Sequence, residues 1–212
     1  MRRAARWGIG LLAPLLLSAC FSIGTGSEAG PQLHRQLVDN GAEPARRAQP
    51  LVQALLIQPL PADALADTVS IAYSRSSHEF AFYQLATWTE RPVRQLPRLL
   101  QQRLEARGVA AAVGLLGEPL RADWLLTLAV DTLHHDVSLP PGQARLAVTV
   151  ELFDRRSQAR AARRSFTASV PTARADSAAA AAAMSQAVAA VFDEMLPWLE
   201  DELQRALAAA GP

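Results

Sequence analysis

The stretch WLLTLAVD, Trp124 to Asp131, and its echo RLAVTVEL, Arg145 to Leu152, decide the fold. In the first, Trp124, Leu126, Leu128 and Val130 alternate with Leu125, Thr127, Ala129 and Asp131. In the second, Leu146, Val148, Val150 and Leu152 alternate with Arg145, Ala147, Thr149 and Glu151. A period of two sends successive side chains to opposite faces, which is the mark of a half-buried strand. Between them, Ser138-Leu139-Pro140-Pro141-Gly142 supplies turn chemistry. A third run, Ser165 to Val170, puts Phe166, Ala168 and Val170 on one face. Three such runs in series predict an antiparallel meander with one wetter face.

Working outward, Ile71 to Ala86 reads as a hairpin: two strands around the polar segment Arg75 to His78. Tyr73, Tyr83 and Trp88 place their rings on it as scaffold, and its loop is a candidate contact with another protein. Leu51 to Ile57 is a compact apolar run bounded by prolines and reads as a buried strand. Val109 to Val113 is a further short strand, and Leu33 to Leu37 a candidate first one. Asn40 to Pro50 reads as a loop. Val93, Leu96, Leu99, Leu100 and Leu104 recur at helical spacing, with Gly108 as the stop. Pro97 fits a first turn or a kink and leaves the start of that helix open. A long C-terminal helix carries the stripe Met184, Val188, Val191, Met195, Leu199 and Leu203, capped by Asp176. Pro197 is expected to kink or divide it, and Ala178 to Ala183 is plain helix propensity. The fold class is α+β: a two-layer sandwich of a mixed, mostly antiparallel sheet and two main amphipathic helices. No internal repeat and no second membrane-span candidate is found.

The composition excludes several functions. The basic side chains other than histidine are all Arg, which together with abundant Ala reflects genomic composition, so single arginines carry little weight as binding signals. Arg155, Arg156, Arg160, Arg163 and Arg164 therefore read as a solvated hairpin tip before a lipid- or partner-binding one. No nucleophile elbow, phosphate-binding loop or His-Glu-x-x-His motif occurs, so no catalytic residue is assigned. His134 and His135 lie near Asp131 and Asp136, yet neighbours on a strand face apart, so no metal is assigned. His78 beside Glu79 has no nucleophile next to it.

The N-terminus decides location. Arg2, Arg3 and Arg6 precede an apolar run, Trp7 to Leu17, shorter than the roughly 20 residues of a spanning helix. A short apolar run behind basic residues is an export signal, predicted over residues 1–19. Leu17-Ser18-Ala19-Cys20 resembles the lipobox of bacterial lipoproteins, with cleavage between Ala19 and Cys20. Cys20 is the single cysteine, so no intrachain disulfide forms, and its position favours a lipid anchor over a buried or reactive thiol. Covalent diacylglycerol and an N-acyl chain on Cys20 would hold the protein to a membrane stably, where one chain anchors only marginally. No other cofactor is expected. Phe21 stands where Asp would retain an enterobacterial lipoprotein on the inner membrane, which favours the outer membrane, periplasmic face. Residues 20–50 are then lipidated Cys, tether and candidate first strand, and residues 51–208 the folded domain. Removing the three signal arginines leaves 18 basic against 20 acidic groups, a formal −2 with no field for nucleic acid.

The order of these pieces resembles the ABC-type transport auxiliary lipoproteins, including the paraquat-inducible protein C-like branch. The resemblance rests on Cys20, Ile71-Ala72-Tyr73-Ser74, Glu79-Phe80, Tyr83, and Trp88 leading into Pro92. It continues through the Leu-rich helix ending at Gly108, Leu152-Phe153-Asp154, Ser165-Phe166 and the Ala-rich C-terminal helix. One departure is Leu33-His34-Arg35-Gln36-Leu37, where the family often carries a Tyr-Tyr-Arg-Leu-like strand. The resemblance implies a non-enzymatic envelope component of ABC systems that carry MCE-domain proteins and move lipids between the inner and outer membranes. Its partners would be the MCE-domain protein, the permease and ATPase, membrane lipid through Cys20, and further copies of itself. The alternatives are a module that itself carries lipid in a groove between sheet and helices, and an envelope-assembly lipoprotein without a transport role. Tyr73, Arg75, His78, Tyr83 and Trp88 are the candidate partner contacts.

Overall fold

The alternating runs form three long strands, but one of them changes face partway along. In a computed structural model that describes residues 30–210, β6 (Trp124–Asp136), β7 (Gln143–Asp154) and β8 (Ala159–Pro171) make the expected meander. Both of its antiparallel ladders run twelve residue pairs. In β6 the even-numbered residues Trp124 to Val130 face the core, until the register shifts between Val130 and Thr132. Beyond that bulge the parity flips, so Leu133 and His135 point inward and His134 outward. The expected export signal, the expected cleavage and lipidation site at Ala19 and Cys20, and the expected tether as far as Ala29 lie outside the described residues.

The rest of the sheet forks from β6. Its first half pairs in parallel with β2 (Val52–Pro59), which also pairs in parallel with β5 (Ala110–Leu115). Its last two residues, His135 and Asp136, pair in parallel with β3 (Ser70–Ser76). β3 forms the expected hairpin with β4 (Glu79–Trp88), and β1 (Leu33–Arg35) adds in parallel to the end of β4. The sheet is thus mixed, its longest ladders antiparallel and none of its four parallel pairings longer than five residues.

Two helices cover one face. α1 (Pro92–Arg107) places Pro92 in its first turn, which settles its start, and Gly108 ends it in the left-handed region at φ 72°. Pro97 therefore lies inside the helix, buried, and leaves the Val93 carbonyl without its usual partner. α2 (Ser177–Ala210) continues through Pro197 without being divided. Asp176 caps it as expected, its Oδ1 accepting from the Ala179 amide at 2.8 Å. Every residue of the anticipated stripe, Met184 to Leu203, is at most 1% exposed, packed on the meander. By length and composition α2 would pass for a membrane span, but most of its apolar window is buried inside the fold. Burial of each large side chain in this seam contributes about 1.5–3 kcal/mol.

The loop from Leu37 to Arg47 is fastened to both helices. Arg103, 6% exposed, donates to both carboxylate oxygens of Asp39, to the Ala42 carbonyl and to Asp193 of α2. One turn on, Arg107 donates to Glu200 and the Ala45 carbonyl, and Arg47 donates to the same Glu200. Burial alone would raise the Glu200 pKa, but the bonds and charges of Arg107 and Arg47 outweigh it and hold the carboxyl low.

Candidate functional site

Beside the short β3–β6 ladder, a buried histidine ties the hairpin to the meander. His135 is fully buried by the parity flip in β6. Its Nδ1 lies 2.8 Å from Tyr83 Oη, and its Nε2 lies 3.2 Å from the Pro141 carbonyl and 3.0 Å from Thr172 Oγ1. Thr172 already donates to the Pro141 carbonyl at 2.7 Å. Two acceptors therefore face Nε2, which assigns the neutral Nε2–H tautomer, with Tyr83 donating to Nδ1. Burial pushes the His135 pKa below its ordinary value, against the opposing pull of the Pro141 carbonyl, Asp136 and Asp176. Burial, then the charge of Asp176, pushes the Tyr83 hydroxyl up to about 12. Gly142 completes the corner at φ 94°, and a Cβ there would sit 2.8 Å from His135 Nε2.

Of the five candidate contacts, the structure brings Tyr73, Arg75 and Tyr83 to one groove. Tyr73 and Tyr83 pack with ring centroids 4.9 Å apart, and the Arg75 guanidinium lies 5.3 Å over the Tyr73 ring. The groove has a volume of about 780 Å³ and runs on past Phe82, Leu85, Pro140 and Asp176. His78 sits apart, in the turn, with φ 66°. Trp88 is 3% exposed and belongs to the core, so it supports the hairpin from beneath and offers no contact surface.

Two features here were not legible in the sequence. The first is the outer edge of β4. β1 pairs only with Ala86, Thr87 and Trp88, so Glu79 to Leu85 has no strand on that side among the described residues. Phe80, Phe82 and Leu85 on this segment are 46%, 42% and 50% exposed. Period two assigns the faces of a strand but says nothing of its lateral partners, so an open edge has no local signal. The second is His135, whose burial depends on a single-residue bulge.

Most of the arginine tip is paired within the fold. Arg156 pairs with Asp123, Arg160 and Arg163 with Glu151, and Arg164 with Glu194, while Arg155 donates to the Ala122 carbonyl. Among the described residues no three His, Cys, Asp or Glu gather as a metal site, and His134 and His135 face apart as expected.

Comparison with known proteins gives the following. A family model described as ABC-type transport auxiliary lipoprotein component matches residues 36–196. The crystal structure of protein XCC0632 from Xanthomonas campestris, family DUF330, is 24% identical over 82% of this chain and 98% of that one, with a TM-score of 0.74. The crystal structure of an uncharacterized protein is 13% identical over 80% of this chain and 99% of that one, with a TM-score of 0.61. At these identities both show a shared fold and nothing more. The PelC dodecamer from Paraburkholderia phytofirmans, 17% identical over 69% of this chain and 91% of that one, has a TM-score of 0.40, too low to carry an argument. Among curated proteins none matches.

Proposed function

The chain belongs to the family of ABC-type transport auxiliary lipoprotein components, and from that premise we propose that it is a docking module of the bacterial envelope. Lipid on Cys20 anchors it to the periplasmic face of the outer membrane. Its partner is an MCE-domain protein of a system whose permease and ATPase are separate chains and which moves lipid between the two membranes. The role is non-enzymatic, consistent with both ring nitrogens of His135 being engaged in bonds that hold the hairpin.

The open edge of β4 carries the docking reading. An exposed strand edge is a template for an extended segment of another protein, with backbone bonds giving affinity and side-chain pockets giving specificity. Glu79 to Leu85 offers that edge, and the groove around Tyr73 and Tyr83 lies beside it to receive side chains. The alternative of lipid carried between sheet and helices has less support, because Leu55, Leu126, Val150, Phe192 and Leu199 fill that seam at 0% exposure.

The test is a photo-reactive residue at Leu85 in living cells, with a second at Leu207 on α2 as control; both positions are exposed. An adduct with the MCE-domain protein from Leu85 and none from Leu207 is expected. Adducts from Leu207 alone would move the docking face off β4. Failure of any component of an ABC system to be captured or co-purified would remove the transport role.

A further inference from the structure

A second cleft lies on the opposite side of the hairpin from the groove, and its chemistry differs. It has a volume of about 460 Å³, within the roughly 300–1,000 Å³ of ordinary small-molecule sites. It forms where the β3–β4 turn meets the outward face of β6, β7 and β8. Ser77, Thr132, His134, Thr167 and Ser169 line it, and none of their side chains makes a hydrogen bond among the described residues. Each hydroxyl both donates and accepts, and a neutral imidazole offers one of each. This hydrogen-bonding capacity is unspent in the fold and is left to solvent or a ligand.

The charges in the cleft balance. Arg145 donates through Nε to Asp136 Oδ2 at 2.7 Å, which leaves its two terminal amino groups free. Asp136 Oδ1 accepts from the amide and hydroxyl of Ser138. Burial holds the His134 pKa below its ordinary value, so the ring is neutral near pH 7. An inorganic anion would find one arginine already paired, and the apolar lining of Phe80, Leu146, Ala147 and Ala168 is interleaved with Ser and Thr, which suits a ligand with both an apolar face and hydroxyls. One aromatic face remains. Phe80 is 46% exposed, and its ring stands at 84° to that of His134 with centroids 5.1 Å apart, making a right-angled corner.

We propose that this cleft binds a neutral pyranose sugar unit, with its apolar face on Phe80 and its hydroxyls on Thr132, His134, Arg145, Thr167 and Ser169. A pyranose ring has one face of C–H groups and a rim of hydroxyls, each both donor and acceptor. It matches an aromatic wall beside unspent Ser, Thr and neutral His side chains. The site borrows Phe80 from the β4 segment with the open edge, but its polar groups lie on β6, β7 and β8, so it does not depend on the docking role.

Saturation-transfer NMR on the full lipidated chain in a sugar-free detergent tests this, with glucose and N-acetylglucosamine as probes. Transfer concentrated on the C–H face of the ring is expected. Phe80→Ala should weaken binding at least tenfold and Thr167→Val about threefold, while Phe80→Tyr retains it. Both positions are exposed, and circular dichroism checks that each variant is folded. Reconstitution into phosphatidylcholine vesicles with and without a glucosyl diacylglycerol distinguishes the source. Loss of the free-sugar signal when the glycolipid is present assigns the unit to a lipid headgroup, and persistence assigns it to a soluble glycan. No transfer from either sugar, transfer unchanged in Phe80→Ala and Thr167→Val, or displacement by inorganic phosphate at lower concentration would each overturn the proposal.

Discussion

At the scale of single residues, buried polar groups with complete sets of partners hold the molecule together. His135 is neutral in the fold, with its pKa below the ordinary 6.5. As pH falls below 6.5 the unfolded chain takes up a proton that the folded chain refuses, so stability present above 6.5 is lost on acidification. The slope is about 1.4 kcal/mol per pH unit for one such group. Urea unfolding between pH 7 and 5 should show this loss, and His135→Gln should flatten it; an unchanged slope would assign the proton uptake elsewhere, with His134 the next candidate. Tyr83 acts at the other end. Its pKa is raised to about 12, so the stability it contributes is complete below pH 10 and fades as pH climbs toward 12. Arg103 is the second such residue. Gly41 passes so close that a Cβ would collide with its guanidinium. Gly41→Ala should push Arg103 off Asp39 and cost about 3 kcal/mol, the usual penalty for breaking a buried pair. A urea midpoint equal to wild type would mean the clamp contributes little. Arg103 had no local signal, because in a chain whose basic side chains other than histidine are all arginine no single one stands out.

Among the elements, the period-two strands and the helical stripes were legible because each face of an element is a local pattern. The alternation of β6 to β8, the stripe on α2 and the stop at Gly108 follow directly from residue spacing. The Asp176 cap was equally local, and Asp176→Ala should lower stability by about 1 kcal/mol, read as a shift in thermal midpoint. A neutral result would mean that the packed stripe alone sets the start of α2. What the sequence could not show is pairing between distant strands. The parallel contacts of β2 with β5 and β6, and of β1 with β4, join segments far apart in the chain. The bulge in β6 is a single extra residue without a Gly or Pro to mark it, so the residue pattern runs on toward His134 while the inward position has passed to His135.

For the whole molecule, the prediction concerns the anchor. Metabolic labelling with a palmitate analogue should mark the wild-type chain and leave Cys20→Ser unlabelled; label retained in the variant would refute lipidation at this cysteine. The lipidation proposed at Cys20 rests on a short ordered motif alone, because an export signal is recognised as a linear segment before any fold exists. Composition likewise settled the small net charge and the single thiol, which need no geometry. Tertiary structure alone decided which residues remain at the surface. It placed Trp88 in the core, left Glu79 to Leu85 without a neighbouring strand, and set Phe80 against His134 over a polar cleft. The reason is physical. Residue periodicity fixes how a segment faces its own layer, whereas exposure of an edge or a cleft depends on which distant segments arrive beside it.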